Sequence, residues 1–228
     1  MTMTRLQDPL GYERRFWSRG IDGVAGVDEA GRGPLAGPVV AAAVILPRDV
    51  WIEGATDSKK LPRDHREELS FEILAKALCV GIGAASVREI DRLNILVATT
   101  RAMRRALRML RVAPGHVCVD GLPVKGLGWE HEALVEGDLR VHSIACASIV
   151  AKVCRDRLMR RLAARYPGYG WQTNVGYGTP EHRDGIERLG PTAHHRLTFA
   201  GVQLELGLGP PDPEAADGET GAPGAASG

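Results

Sequence analysis

The chain alternates short apolar runs with longer amphipathic stretches, a pattern typical of a mixed α/β protein. Val24–Asp28 predicts a first strand. Pro38–Leu46 is apolar throughout and predicts a second strand that is buried on both faces. Cys79–Val87 predicts a third strand and His116–Asp120 a short fourth one, and Arg140–Ile144 is the candidate for a fifth.

Stretches with apolar residues at every third or fourth position predict helices. They are Pro62–Leu78, a long helix from Ser86 through Leu110, Ala145–Tyr166 and Thr179–Leu189. Ser86 and Glu89 have the spacing of a capping box at the start of the long helix. We expect the inward sides of the first two helices to carry Leu69, Ile73, Leu74 and Ala77, and Ile90, Leu93, Val97, Met103, Leu107 and Leu110. This order of elements indicates one α/β domain with a mixed sheet.

The length of 228 residues fits one domain, and the 44% hydrophobic and 25% charged content is ordinary for a soluble protein. We expect an N-terminal lead-in over residues 1–22 and the folded domain over residues 23–206. Residues 207–228 are rich in Gly, Pro and Ala and carry acidic but no basic residues, so they are predicted to be a disordered tail. The formal net charge is +1. Because the tail is acidic, the rest of the chain is more basic than this value and suits a polyanionic partner.

Several classes of protein do not match the sequence. No apolar run approaches the ~18–20 residues that a membrane-spanning helix needs, and charged residues interrupt the N-terminus where a signal sequence would be apolar. The four cysteines form no C-x-x-C pair, so neither a zinc site nor a disulfide framework is indicated. We therefore expect a cytoplasmic protein without membrane contact.

Four carboxylates stand at positions that suit a metal site. Asp28 and Glu29 close the first strand, Asp120 ends the fourth, and Asp138 follows a glycine. Carboxylates suit hard cations, and two such ions about 4 Å apart suit hydrolysis of a phosphodiester. Each of these sites taken alone is also compatible with a solvated turn. Because neighbouring strand residues point to opposite faces, Asp28 and Glu29 can share a site only if the strand ends or bulges between them.

Basic residues form two groups with helical spacing. A solvated helix face and a phosphate-binding surface are both open interpretations of each group. The groups are Arg101, Arg104, Arg105, Arg108 and Arg111, and Lys152, Arg155, Arg157, Arg160, Arg161 and Arg165.

At the level of motifs, the chain resembles the ribonuclease HII family, the prokaryotic type 2 ribonucleases H. The resemblance covers roughly residues 20–202, and DEAGRGPLAGPVV together with DSKKL is its most specific part. The matching stretches, in the family's order, are Gly26–Leu46, Asp57–Leu61, Glu89–Leu96, Val119–Gly121, Gly137–Asp138, Ser143–Asp156 and Asn174–His182.

The resemblance implies a ribonuclease H-like fold, with a mixed five-stranded sheet flanked by helices and a C-terminal helical extension. It implies that Asp28, Glu29, Asp120 and Asp138 hold two ions of Mg²⁺ or Mn²⁺, one mainly on Asp28 and Asp120. It also implies a set of residues that contact the substrate. These are Gly31, Arg32 and Gly33 at the ribonucleotide, Tyr177 against the sugar or base across the junction, and Lys59, Lys60 and Lys152 on phosphates.

The implied activity is hydrolysis on the 5′ side of a ribonucleotide in RNA–DNA hybrids or in DNA that contains ribonucleotides, leaving a 3′-hydroxyl and a 5′-phosphate. A related DNA junction nuclease and a non-catalytic duplex-binding module are the alternatives. Val175 stands where the family commonly has Lys, which removes one phosphate contact. We expect a monomer, and contact with a replication clamp is an open expectation.

Overall fold

The computed structural model of the protein describes residues 8–206, so the predicted tail of residues 207–228 lies outside the described residues. A five-stranded mixed sheet with the order β3-β2-β1-β4-β5 forms its centre. β1 and β2 are antiparallel, as are β2 and β3, whereas β1, β4 and β5 run parallel. The strands are β1 (Val24–Ala30), β2 (Val39–Ile45), β3 (Cys79–Ala85), β4 (His116–Asp120) and β5 (Glu132–Leu134).

Helices cover both faces of the sheet. Helix α5 is the longest, at 24 residues. The helices are α1 (Gly11–Trp17), α2 (Arg63–Lys76), α3 (Val87–Leu93), α4 (Ile95–Arg108), α5 (His142–Arg165), α6 (Trp171–Asn174), α7 (Pro180–Leu189) and α8 (Ala200–Glu205). The last three form the predicted C-terminal helical extension. In the described part of the chain, no helix is both long and apolar enough to cross a membrane.

The core lies on both sides of β1 and β2. Every residue of β2 is buried, as its continuous apolar sequence predicts. One face packs against α4, and the other packs against α2 and α5. Gly26 in β1 brings the sheet close to α5, because a methyl group there would lie 2.1 Å from the carbonyl carbon of Ser143.

The predicted helix from Ser86 to Leu110 is wrong in one respect, since it is two helices. Ser86 does form the capping box with Glu89, but α3 ends before Asn94, whose φ of 68° lies outside the helical region. The Asn94 side chain then accepts hydrogen bonds from the first N–H groups of α4 and caps it. The change in direction leaves Val97 42% exposed, although the single-helix pattern places it inward.

Two further expectations are corrected. The fifth strand is Glu132–Leu134, parallel to β4, and not Arg140–Ile144. Val141 is the residue before α5, so the apolar residues of that stretch belong to the start of a helix. Leu74 is exposed on α2, while its neighbours Leu69 and Ile73 are buried as predicted.

Part of the predicted lead-in contributes to the core. Its helix α1 buries Tyr12, Phe16 and Trp17 against β4 and the start of α5. The Glu13 carboxylate accepts a hydrogen bond of 2.8 Å from the N–H of Ser143 in the first turn of α5. Because α5 has no side-chain cap of its own, α1 supplies one from elsewhere in the chain.

Candidate active site

Asp28, Glu29 and Asp120 lie towards the carboxyl ends of β1 and β4, and Asp138 lies in a short 3₁₀ helix after β5. Strand β1 pairs with parallel β4 as far as Val27 and Val119, so Asp28 and Asp120 follow at neighbouring strand ends. Asp120 Oδ1 accepts a hydrogen bond of 2.7 Å from the N–H of Gly137. This contact places the short 3₁₀ helix Gly137–Leu139, which carries Asp138, at the same end of the sheet. Ligand sites in α/β proteins gather at such strand ends.

Strand β1 neither ends nor bulges between Asp28 and Glu29, contrary to the sequence-based expectation. Its pairing with β2 is regular through Asp28, Glu29 and Ala30. Asp28 lies across from Ala42, which packs on the α5 side, so Glu29 starts from the opposite face. Pairing with β4 has stopped by this point, and the Glu29 side chain reaches the same cavity beyond the end of β4.

One cavity of about 390 Å³ collects nearly all the predicted residues. Ser58, Ser148 and Ala30 also line it. The predicted residues on its wall are Asp28, Glu29, Gly31, Arg32, Gly33, Lys59, Asp120, Asp138, Lys152 and Tyr177. Lys60 does not line it; its ammonium group is exposed and lies 3.7 Å from Asp57. A larger cavity of about 700 Å³, bordered by Trp51, Arg15 and Arg140, opens beside Asp138 as well.

Negative charge is concentrated in the smaller cavity. The pKa of Asp28 is raised well above its usual value, first by burial and then by the charges of Glu29 and Asp120. Burial also raises the pKa of Glu29, although the Arg32 guanidinium, 3.2 Å away, acts in the opposite direction. The pKa of Asp138 is raised by burial and by Asp120. Such a cluster favours a bound cation, which would offset the repulsion between the acids.

The carboxylates supply the ligand type for a hard divalent ion but do not converge on one point. Among residues 8–206, no three His, Cys, Asp or Glu side chains stand where they could hold one ion together. Mg²⁺ is commonly bound through one or two carboxylates, with waters and substrate phosphates completing its shell. The oxygen donors and the raised pKa values therefore fit a metal that is shared with a substrate.

Lys152 and Tyr177 add a basic and an aromatic group to the cavity wall. The Tyr177 ring is 42% exposed, and the Lys152 ammonium lies 5.6 Å from its centroid. Lys152 is also 2.9 Å from the buried carboxylate of Asp156, which fixes the direction of its side chain. The cavity therefore presents a flat face and a positive charge as well as the carboxylates.

Two serines on the cavity wall were not singled out from the sequence. Their hydroxyls, on Ser58 and Ser148, share a hydrogen bond of 2.9 Å, and the Ser148 hydroxyl partly offsets the rise in the pKa of Asp28. Ser148 and Lys152 are four residues apart on α5, a spacing that puts both on one helix face. That spacing, within a stretch that resembles the family, was the signal available in the sequence.

Four of the clustered arginines pair with acids outside the cavity. Arg101 and Arg105 approach Glu89, at 3.8 and 2.7 Å, and Arg157 and Arg160 both contact Glu67 at 3.1 Å. Of the second group only Lys152 lines the cavity. The positive charge at the cavity therefore comes from Arg32, Lys59 and Lys152, rather than from a continuous helix face.

A family model and a curated protein both match most of this chain. The family model described as Ribonuclease HII matches residues 25–202. A ribonuclease HII of Thermosynechococcus vestitus is 55% identical over 191 residues, which span 82% of this chain and 88% of that protein.

Two solved structures are also similar. The ribonuclease H2 of Pyrococcus horikoshii OT3 superimposes with a TM-score of 0.69 at 28% identity, covering 80% of this chain and 96% of that one. The RNase HII of Archaeoglobus fulgidus, solved in complex with PCNA, gives a TM-score of 0.66 at 27% identity, covering 77% and 94%.

Proposed function

The chain belongs to the ribonuclease HII family and is an endoribonuclease that acts on RNA–DNA hybrids; we propose that it cuts on the 5′ side of a ribonucleotide. The substrates would be hybrids, RNA–DNA junctions and single ribonucleotides in duplex DNA, and the products a 3′-hydroxyl and a 5′-phosphate. The observation that carries this proposal is one cavity that is lined by the four carboxylates together with Gly31, Arg32, Gly33 and Tyr177.

We assign the metal-binding role to Asp28, Glu29, Asp120 and Asp138. Their oxygen atoms are the donors that Mg²⁺ and Mn²⁺ prefer, and their mutual repulsion is what a divalent cation offsets. When bound, a pair of divalent ions supplies an activated water and stabilises the departing 3′-oxygen. Asp120 has the most central position, because its charge raises the pKa of Asp28, Glu29 and Asp138.

The remaining residues of the cavity bind and orient the substrate. Lys59 and Lys152 line the cavity and would neutralise phosphates of the substrate. Arg32 does the same while its contact with Glu29 keeps that carboxylate directed inward. Lys60 is exposed beside Asp57, so its proposed contact is with phosphates outside the cavity.

Recognition of the ribose is assigned to the backbone of residues 31–33 and to Tyr177. The 2′-hydroxyl is what distinguishes RNA from DNA at one sugar. Gly33 leaves open space, with no atom within 4 Å of the position a methyl group would take. A sugar can therefore approach this backbone closely, while the exposed Tyr177 ring meets the next nucleotide.

A cleavage assay tests the function directly. Duplex DNA with one ribonucleotide, a uniform RNA–DNA hybrid and an all-DNA duplex are each incubated with Mg²⁺, Mn²⁺ or EDTA. We expect cutting of the first two with a divalent ion and none in EDTA, and the comparison of ions identifies the preferred metal. Cutting of the all-DNA duplex, or cutting in EDTA, would contradict the proposal.

Four further expectations belong to the proposal. The catalytic domain comprises residues 23–206, between a lead-in and an acidic tail. The protein is cytoplasmic. It acts as a monomer, and sedimentation of the purified chain would test this oligomeric state. It also contacts a replication clamp, an expectation supported by the likeness to the Archaeoglobus fulgidus protein solved with PCNA. Co-sedimentation with a clamp tests this last point.

A further inference from the structure

Two arginines of this fold are buried without an acid to balance them. Arg155 on α5 and Arg196, which precedes α8, are both 0% exposed. In the described part of the chain, no ion pair within 4.0 Å joins either guanidinium to a carboxylate. A buried charge is costly unless hydrogen bonds satisfy it. Here the partners are backbone carbonyl groups, and they belong to the segments that border the cavity.

Arg196 binds the carbonyl side of the loop that follows β1. Its Nη2 donates to the Gly31 carbonyl at 2.5 Å and its Nη1 to the Arg32 carbonyl at 2.8 Å. Its Nε and Nη2 both donate to Gly37, at 3.0 and 2.8 Å. Burial lowers the pKa of Arg196 to about 9, so the side chain remains charged at neutral pH.

These contacts determine which way the loop's N–H groups face. A trans peptide unit is planar, so its C=O and N–H bonds point in opposite directions. No peptide bond among residues 8–206 is cis. Because the Gly31 and Arg32 carbonyls point at Arg196, the N–H groups of Arg32 and Gly33 point away from it. Both residues are exposed and line the cavity.

Arg155 joins the same loop to the turn that carries Tyr177. It donates to the carbonyls of Ala36, Pro38 and Val175, each at 3.0 Å. Gly31 lies directly over it, since a methyl group on Gly31 would be 2.0 Å from the Arg155 Nε. A single planar guanidinium thus contacts both the loop and the residue two positions before Tyr177.

We propose that Arg155 and Arg196 are positioning residues for ribose recognition. They hold the loop carbonyls inward, so that the N–H groups of Arg32 and Gly33 face the substrate, and they fix the gap between those groups and Tyr177. This rests on the proposed function, because the gap is the one that a ribose followed by a deoxyribose would occupy. Neither arginine touches the substrate.

The test compares Arg196→Lys with Arg157→Lys. Lysine keeps the buried positive charge but offers one nitrogen in place of the fork that reaches three carbonyl groups. Arg157 lies on α5 and pairs with Glu67 away from the cavity, so its replacement is the matched control. For each variant, kcat and KM are measured on duplex DNA with a single ribonucleotide and on a uniform hybrid.

We expect Arg196→Lys to lower the ratio of the two kcat/KM values, single ribonucleotide over hybrid, by about tenfold, because sub-ångström misplacement of binding groups is costly. The hybrid offers a ribose at every position and tolerates the misplacement better. Arg157→Lys should leave the ratio unchanged. A folded Arg196→Lys protein whose ratio stays within about twofold of the native value would overturn the proposal.

A second readout does not depend on turnover. With EDTA present, the amide resonances of Arg32 and Gly33 in the native protein should shift on addition of the single-ribonucleotide duplex, and shift less with all-DNA duplex. In Arg196→Lys, the shifts caused by the two duplexes should differ less than they do in the native protein. If Arg196→Lys does not fold, Arg155→Lys takes its place. Native amides that respond equally to both duplexes refute the positioning role, whereas absence of native cleavage refutes the proposed function instead.

Discussion

The Asp120 carboxylate accepts a hydrogen bond of 2.7 Å from the N–H of Gly137. This bond ties the end of β4 to the 3₁₀ helix that carries Asp138, and it leaves the second Asp120 oxygen for other contacts. The approach is close, since a methyl group on Gly137 would lie 3.2 Å from Asp120 Oδ1 and 2.8 Å from Ile144. One acid of the cavity therefore positions another.

Asp120→Asn should abolish turnover while preserving the fold. The asparagine carbonyl can still accept the bond from Gly137, but the negative charge at the cavity is lost. We expect kcat/KM to fall about a thousandfold or more, in line with the several kcal/mol that metal-assisted stabilisation supplies. Binding of the substrate should persist. Asp64→Asn, on the exposed face of α2, is the control, and near-native turnover by Asp120→Asn would remove Asp120 from the mechanism.

Tyr177→Ala should weaken cleavage selectively. Stacking of an aromatic ring on a nucleotide contributes about 1–3 kcal/mol, so we expect a loss of about one to two decades in kcat/KM. The loss should be greater for a single ribonucleotide in DNA than for a uniform hybrid, which has no junction. Tyr177→Phe keeps the ring and should retain most activity. Equal losses by Tyr177→Ala on both substrates would assign Tyr177 a structural role.

Gly33→Ala should lower activity with little effect on stability, whereas Gly26→Ala should lower stability. A methyl group at Gly33 meets no atom within 4 Å, so stability should stay within about 1 kcal/mol of native. The methyl group would face the substrate, and we expect kcat/KM to fall about ten- to hundredfold.

At Gly26 the methyl group would overlap the α5 backbone, and urea unfolding should show a loss of about 3 kcal/mol or more. Full activity in Gly33→Ala would argue against close contact between this loop and the sugar.

The protein should become less stable in acid, because His142 binds a proton more readily in the unfolded chain than in the folded protein. Its Nε2 accepts a hydrogen bond of 2.9 Å from the N–H of Ile52, and burial lowers its pKa to about 4. The unfolded chain, with an ordinary value near 6.5, binds the proton first. The contribution of His142 to the unfolding free energy is therefore fully present above pH 6.5, and it is lost as the pH falls towards 4.

His142→Gln keeps an acceptor and removes the titration. Between pH 6.5 and 4 its unfolding free energy should depend less steeply on pH than that of the native protein, by up to about 1.4 kcal/mol per pH unit. The raised pKa values of Asp28 and Glu29 act in the opposite direction, so the informative quantity is the difference between the two proteins. Identical slopes for the native protein and His142→Gln would contradict the assignment.

The elements with a strong local pattern were predictable from the sequence. Strand β2 is apolar in every residue, and Ser86 and Glu89 form the capping box that their spacing indicates. The break at Asn94 was not predictable from periodicity, because the apolar spacing continues across it and only the backbone turns. Strand β5, Glu132–Leu134, is too short for any period, and its pairing with β4 decides its conformation.

In the candidate site, too, some features follow from local sequence patterns and others depend on the fold. Carboxylates at predicted strand ends could be proposed as neighbours, since parallel strands end at one edge of a sheet. The approach of Glu29 from the opposite face depends on where β4 stops, which no local pattern encodes. The buried roles of Arg155 and Arg196 were hidden as well, because arginines are mostly exposed to solvent and the sequence does not show which helix or loop arginine the fold buries.

The hydrogen bond from Arg196 to Gly31 has a consequence for the order in which the protein is made. It joins residues 165 positions apart, so it can form only after Arg196 has been synthesised. A nascent chain that has emerged as far as β4 already contains Asp28, Glu29 and Asp120. The loop after β1 in that chain still lacks its contact with the Arg196 guanidinium. Contacts of such long range form late in folding. Chains that end before Arg196 would thus lack the contact that orients the loop, and selectivity for ribose would require that residue.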